Sequence, residues 1–362
     1  MNHRLVRTVA SLAFGLSCGS AWAGLSVEAG EVRLSGAGAT FPAPLYTRWV
    51  SEYEKGHPSV QIDYRSIGSG GGVKAIADKT VAFGATDAPL SEKEIAAMGG
   101  TDSVVQFPAA LGAVVPAYNL PGVDKPLQFT GAILVDIYLG RISSWDDAQL
   151  QKLNPDVKLP KTPITPVFRT DGSGTTHVFT SYLGTQSPEF KGEVGVGKQV
   201  KWPLGQGGKG NEGVAAVIQQ TAGALGYIEH NYAIANKISY GAVQNKAGKF
   251  VLATPESVSA AGDASSATLK GNVLRADVWN APGDGAYPIS AFTYIVLYKQ
   301  LENIKTDAEA SALLGYQRWT LGPGQKFAAE MHYAPLSEKV QAAALAALSS
   351  VTHQGKPIPV QP

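Results

Sequence analysis

The sequence predicts an α/β fold in two lobes with mainly parallel sheets. One unit recurs three times: a short β-branched strand, a glycine-rich turn carrying hydroxyls, then an amphipathic helix. Two nearly continuous apolar stretches, 104–118 and 288–297, read as strands buried on both faces that cross from one lobe to the other. At 362 residues the chain is long enough for two separate cores.

At the N-terminus, Arg4 and Arg7 precede an apolar run at 9–16, and Ala21-Trp22-Ala23 supplies small residues for cleavage. This is the layout of a secretory leader, 1–23, and it is too short to span a membrane. Cleavage after Ala23 would start the mature chain at Gly24. The single cysteine, Cys18, lies inside the leader. The mature chain therefore has no disulfide, thiol nucleophile or cysteine-ligated metal. A lipid anchor on Cys18 would put Gly15 where lipoprotein leaders usually have leucine. Of 30 Lys and Arg, two fall in the leader, which leaves 28 against 29 Asp and Glu, a net charge of −1. Such a chain has no basic field for a nucleic-acid backbone, and no nucleic-acid partner is expected.

The first unit runs from a strand at 32–34 through Gly36-Ala37-Gly38-Ala39-Thr40-Phe41-Pro42 into a helix. That helix presents Tyr46, Trp49, Val50 and Tyr53 on one face and ends at Gly56. In the second, Val60, Ile62 and Tyr64 alternate as a strand and lead through Ile67-Gly68-Ser69-Gly70-Gly71-Gly72 to Val73, Ile76 and Ala77. Ser91 and Glu94 form a capping box for a helix after Asp87-Ala88-Pro89. The third unit runs from Pro166-Val167-Phe168 through Arg169-Thr170-Asp171-Gly172-Ser173-Gly174-Thr175 to Val178, Phe179, Tyr182 and Leu183 at helical spacing. Helices are also expected at 131–139, 214–220, 307–319 and 337–348. Asp146-Asp147 reads as a helix start, and 257–266, small and polar, as a surface excursion. Two crossings near Ala117-Asn119 and Ser290 divide the mature chain into lobe I, 24–118 plus 291–362, and lobe II, 119–290.

A glycine-rich turn at a helix N-terminus exposes unpaired N–H groups, to which the helix dipole adds about half a positive charge. One such loop reads as ordinary capping. Three of them, one carrying Arg169 and another followed by Asp87, point to an oxyanion held at converging helix ends. Arg169 offers a planar fork of donors, and Asp171 stands where it would clamp that fork or simply serve the turn. Enzyme signatures are missing. The stretch 205–210 followed by Asn211 lacks the Gly-Lys-Ser/Thr ending of a nucleotide P-loop, and Phe41 occupies the third glycine of a dinucleotide fingerprint. Ser69 and Ser173 have Ile67 and Asp171 where a nucleophile elbow needs glycine. His57, His177, His230, His332 and His353 are dispersed without zinc spacing, and His177 reads as a helix-surface residue. No catalytic residue, metal or cofactor is expected.

Six stretches carry a resemblance: GAGATFPAPLY (36–46), IGSGGGVKAI (67–76), FGATDAPLS (83–91), RTDGSGTTHVFTSYL (169–183), WPLGQGGKGNEGVAA (202–216) and GALGYIEHNYA (223–233). In these the chain resembles the substrate-binding proteins of ABC-type high-affinity phosphate importers, two-lobed periplasmic binding proteins of type II. The likeness runs in order along nearly the whole mature chain. Gly70 stands where the family often has a second serine, and 249–286 matches poorly. The resemblance implies mixed sheets flanked by helices with two hinge crossovers, and a non-enzymatic monomer. Its ligand would be inorganic phosphate, as hydrogenphosphate or dihydrogenphosphate, passed to a permease in the inner membrane. It further implies that Thr40, Phe41 (by its backbone) and Ser69 donate to the anion, and that Asp87 accepts from it. Arg169, Ser173, Gly174 (by its N–H) and Thr175 would come from the other lobe, with Asp171 pairing Arg169. A secreted phosphate-ester hydrolase and a phosphate-sensing surface protein are the alternatives.

Overall fold

The computed structural model describes residues 31–265, 269 and 271–359. The expected leader, Cys18 and the start at Gly24 lie outside the described residues. Among those described, no helix is long and apolar enough to cross a membrane.

Twelve strands matter to the layout: β1 (Val32–Gly38), β2 (Val60–Ser66), β3 (Phe83–Thr86), β4 (Val104–Tyr118), β5 (Gln128–Phe129), β6 (Thr165–Arg169), β7 (Gln206–Gly208), β8 (Ala224–Glu229), β9 (Ser239–Tyr240), β10 (Ala242–Gln244), β11 (Phe250–Val251) and β12 (Ser290–Tyr298). The helices between β1 and β6 are α1 (Ala43–Gly56), α2 (Ser69–Ala77), α3 (Glu92–Ala97), α4 (Gly131–Tyr138) and α5 (Ala148–Leu153). Then follow α6 (Gly174–Gln186), α7 (Pro188–Glu193), α8 (Gly210–Gln220), α9 (His230–Ala235), α10 (Pro255–Ser265), α11 (Asp307–Leu321), α12 (Lys326–Glu330) and α13 (Glu338–Leu348). The main sheet runs β2-β1-β3-β12-β4-β8-β6-β7, with β9 also on β4, while β5, β10 and β11 form a small separate sheet. β1 is parallel to β2 and β3, and β6 to β7 and β8. β12 and β4 run antiparallel to their neighbours, which makes the sheet mixed.

β4 joins the two halves of this sheet. Through Ala113 it pairs with β12, and from Val114 onward with β8. All fifteen of its residues are buried, as its unbroken apolar sequence requires. Pro108 lacks an N–H for a central ladder, and the strand accommodates it with a bulge: Thr293 faces Ala110 while Tyr294 faces Pro108, so Ala109 is the extra residue.

The α1 face is buried as its periodicity predicts, with Tyr46 stacked on Trp49 at 5.4 Å and Trp49 donating to the Gly324 carbonyl at 2.7 Å. The Ser91–Glu94 capping box is present, and Asp147 caps α5 by accepting from Gln149 N. Two expectations fail. The central strands pair antiparallel where mainly parallel sheets were expected, because β4 and β12 run in opposite directions between the two halves. Residues 255–265 form α10, packed on β4 and β12 with Val258 and Ala261 buried, where a surface excursion was expected. The small residues serve close approach: a Cβ on Gly262 would lie 2.4 Å from Leu111 Cδ2.

Candidate functional site at the strand ends

The parallel strands end near one another and hand over to helices whose N-termini converge, the usual ligand position in open α/β sheets. β1 leads through Thr40 and Phe41 to α1. β2 leads to α2, whose first residue is Ser69, and β3 ends just before Asp87. On the other half, β6 ends with Arg169 and leads through Asp171 and Ser173 to α6, which begins at Gly174 and Thr175. Gly70 N donates to Gly172 O at 2.7 Å, which ties the α2 loop to the α6 loop. The start of α6 comes close enough that a Cβ on Gly174 would lie 2.4 Å from Ser69 Oγ and 2.5 Å from Asp87 Oδ2, so only glycine permits it.

Arg169 has a fully buried side chain. Its Nε donates to Asp171 Oδ1 at 2.8 Å and its Nη2 to Asp171 Oδ2 at 2.5 Å, while Nη1 donates to Thr175 Oγ1 at 3.2 Å. Of the five guanidinium N–H groups, one on each terminal nitrogen is left over. Burial would raise the Asp171 carboxyl, but Arg169 and the Gly210 N–H, 3.0 Å away, hold it below its usual range.

Asp87 is buried. Its Oδ2 accepts from Ser69 Oγ at 3.3 Å, and its own N–H donates to the same Oγ at 3.2 Å. Its Oδ1 makes no hydrogen bond of good geometry among the described residues, although the Thr293 hydroxyl is near enough to act on the carboxyl. Burial pushes this carboxyl up to about 7, against the pull of the Thr293 hydroxyl, Arg169 and Ser69.

The remaining expected residues divide by atom. The Phe41 ring packs edge-on to Tyr333, whose hydroxyl lies 2.7 Å from the Phe41 carbonyl oxygen, so only the Phe41 backbone borders the site. Ser173 Oγ caps α6 by accepting from Thr176 N at 2.9 Å, and the Ser173 N–H donates to Lys198 O. The N–H groups of Gly174 and Thr175 find no acceptor among the described residues. His177 is half-buried, its ring edge-on to Trp279 at 5.6 Å, and not on the open helix surface. Burial chiefly, with Lys198 nearby, holds its imidazole down to about 4.

Several residues here were not singled out from the sequence. Asn211, at the start of α8, donates through Nδ2 to Thr40 Oγ1 at 2.8 Å and to Thr175 Oγ1 at 3.1 Å. Tyr227 OH accepts from Arg169 N at 3.1 Å, and Tyr232 OH donates to Thr40 O at 2.7 Å. Glu229, buried beneath Tyr333, is pushed well above the usual carboxylate range by burial. Lys198 and Glu94 pair between the two sheet halves. A signal for Asn211 was present: β7, the glycines at 207–210 and α8 repeat the strand, glycine turn and helix of the other three loops.

Comparison with known proteins agrees with this layout. A family model described as a PBP superfamily domain matches residues 26–322. A phosphate-binding protein PstS of Xylella fastidiosa is 45% identical over 308 residues, 84% of this chain and 82% of its own. The PstS of Pasteurella multocida is 42% identical, covering 85% and 87%. Among solved structures, a high affinity periplasmic phosphate-binding protein (PfluDING) bound with phosphate superposes with a TM-score of 0.70 at 20% identity, covering 87% of this chain and 93% of that one. A phosphate binding protein from Stenotrophomonas maltophilia gives 0.68 at 18% identity with the same coverage. The chain belongs to the PBP superfamily, with its two-lobed α/β fold, and within it to the family of phosphate-binding proteins named PstS.

Proposed function

We propose that the chain captures inorganic phosphate in the crevice between its two lobes, 24–118 plus 291–362 and 119–290, and delivers it to an ABC-type permease. One observation carries the reading. A buried arginine with two uncommitted N–H groups stands with free helix-start N–H groups beside an unpartnered carboxylate oxygen, Asp87 Oδ1. Donors on most sides and one acceptor fit an oxyanion that still carries a proton. Thr40, the Phe41 N–H and the Ser69 N–H supply donors from lobe I, the Ser69 hydroxyl proton being given to Asp87 Oδ2. Arg169, the Ser173 hydroxyl proton, the Gly174 N–H and Thr175 supply them from lobe II, with Asp171 fixing the guanidinium.

The bonds Gly70–Gly172, Asn211–Thr40, Tyr232–Thr40 and Lys198–Glu94 link the two halves of the main sheet, which supports a closed arrangement of the proposed lobes. The chain works as a periplasmic monomer and catalyses no reaction of its own. A ligand bound only by the native state raises stability by RT ln(1 + [L]/Kd), about 2.7 kcal/mol at a hundredfold excess over Kd. Phosphate should therefore raise the melting temperature by several degrees while equal sulfate or nitrate leaves it in place. An equal shift with sulfate would make the chain a general oxyanion binder.

Export rests on the leader at 1–23. The intact mass of secreted protein should match a chain beginning at Gly24, and a diacylglycerol on Cys18 would overturn the soluble periplasmic assignment.

A further inference from the structure

We infer that Asn211 is a positioning residue that turns the hydroxyls of Thr40 and Thr175 into obligate donors toward the anion; this rests on the phosphate reading above. The orientation of its amide is fixed from behind. The Glu229 backbone N–H, which can only donate, points at Asn211 Oδ1 from 2.9 Å, so the NH₂ faces the two threonines.

A hydroxyl has two lone pairs and one proton. Thr40 Oγ1 accepts from Asn211 Nδ2 at 2.8 Å and from the Asn211 backbone N–H at 3.1 Å. Thr175 Oγ1 accepts from Asn211 Nδ2 at 3.1 Å and from Arg169 Nη1 at 3.2 Å. Both sets of lone pairs are filled, and each hydroxyl has only its proton left to offer. Neither proton has an acceptor among the described residues, although Thr40, Thr175 and Asn211 are all buried. Both oxygens lie within bonding reach of one nitrogen, close enough for their protons to grip a single small anion. A freely rotating hydroxyl could also accept, and so tolerate a ligand proton in the wrong place. With these two locked as donors, Asp87 remains the acceptor that receives the ligand's proton. Thr40 and Thr175 belong to opposite sheet halves, so the same amide also ties this polarity to closure.

The test is a double-mutant cycle on the full mature protein, read by calorimetric titration with inorganic phosphate and by thermal melting without it. Thr175→Val in the wild-type background should cost about tenfold in affinity or more, the loss of one buried donor. In the Asn211→Ala background, where the Thr175 hydroxyl is free to turn, the same change should cost threefold or less. The melting temperatures should show no matching coupling. A spectroscopic readout accompanies the cycle: two threonine hydroxyl protons correlated to the phosphate ³¹P in the wild-type complex, and a weakened Thr175 correlation in Asn211→Ala. Multiplicative losses in affinity, or unchanged hydroxyl correlations, would overturn the inference. Wild-type protein that does not bind phosphate would instead overturn the site reading on which it rests. Should Asn211→Ala fail to fold, Asn211→Ser, which cannot present two donors, takes its place in the cycle.

Discussion

Arg169→Ala should abolish phosphate binding at micromolar ligand and leave the circular dichroism spectrum unchanged. Among the described residues Arg169 is the only cation whose side chain is bonded into the cluster of loop residues, and it is fully buried, so no solvent competes for its charge. Asp171 and Thr175 account for three of its N–H groups, and the two that remain can reach an oxyanion as charge-assisted bonds. At roughly 1.5–3 kcal/mol each, their loss lowers affinity on the order of a thousandfold. Asp171 keeps the Gly210 N–H and some solvent contact, so the variant should melt lower yet still fold. Arg169→Lys should recover little of this affinity, because an ammonium cannot grip Asp171 at two points and a ligand at two more. Near-normal affinity in the alanine variant would remove the third loop from the site.

Asp87→Asn should let sulfate bind while weakening phosphate only modestly. Phosphate carries at least one proton near neutral pH, its second pKa being about 6 by analogy with phosphate esters, and sulfate carries none. Above the pKa of about 7 at which it ionises, Asp87 facing sulfate sets acceptor against acceptor in a buried place, a mismatch of several kcal/mol. Asparagine can accept through its carbonyl oxygen or donate through its NH₂, so it serves either anion. Paired titrations on both proteins at one pH and ionic strength decide the matter, and a variant that still rejects sulfate would make Asp87 structural.

The same variant has a signature without ligand. A carboxyl whose folded pKa stands above its unfolded value binds more protons when folded, so stability falls as pH rises between the two, here from about 4 to about 7. Urea titrations at pH 5 and 7.5 should show a smaller difference for Asp87→Asn than for wild type. Glu229, raised for the same reason, adds a slope of the same sign that the variant retains.

Local signals made much of the fold legible. Strand alternation in 60–64, the apolar run at 104–118 and the Ser91–Glu94 capping box are written within a few residues of where they act. The three glycine loops declared a site because glycine, hydroxyl and helix start adjoin in sequence. What stayed hidden depends on distant partners. Asn211 was read only as the end of a failed nucleotide motif, and its bonds to Thr40 and Thr175 span 171 and 36 positions. The Lys198–Glu94 pair spans 104 positions, and α10 is stabilised by β4 and β12 more than by its own small residues. Nor do helix-end donors name an anion. The unpartnered oxygen of Asp87 narrows the choice, and its freedom from partners is visible only in three dimensions.

The place of β12 between β3 and β4 governs when this molecule can fold. During synthesis the first four strands emerge early, but the strand that joins β3 to β4 begins only at Ser290. Until then both have an unsatisfied ladder edge, the kind of surface that recruits other chains. Pairing across so many intervening residues is slow, because the entropy of closing the loop is lost before the contacts form. The first half of the sheet is therefore completed last, after the second half has had time to collapse. If the proposed leader at 1–23 exports the chain, that delay is useful: most of the polypeptide can pass through a membrane before its N-terminal half has a stable structure to resist the passage. A fragment ending before Ser290 should for the same reason behave as an aggregating chain, even though it contains Thr40, Ser69, Asp87 and Arg169.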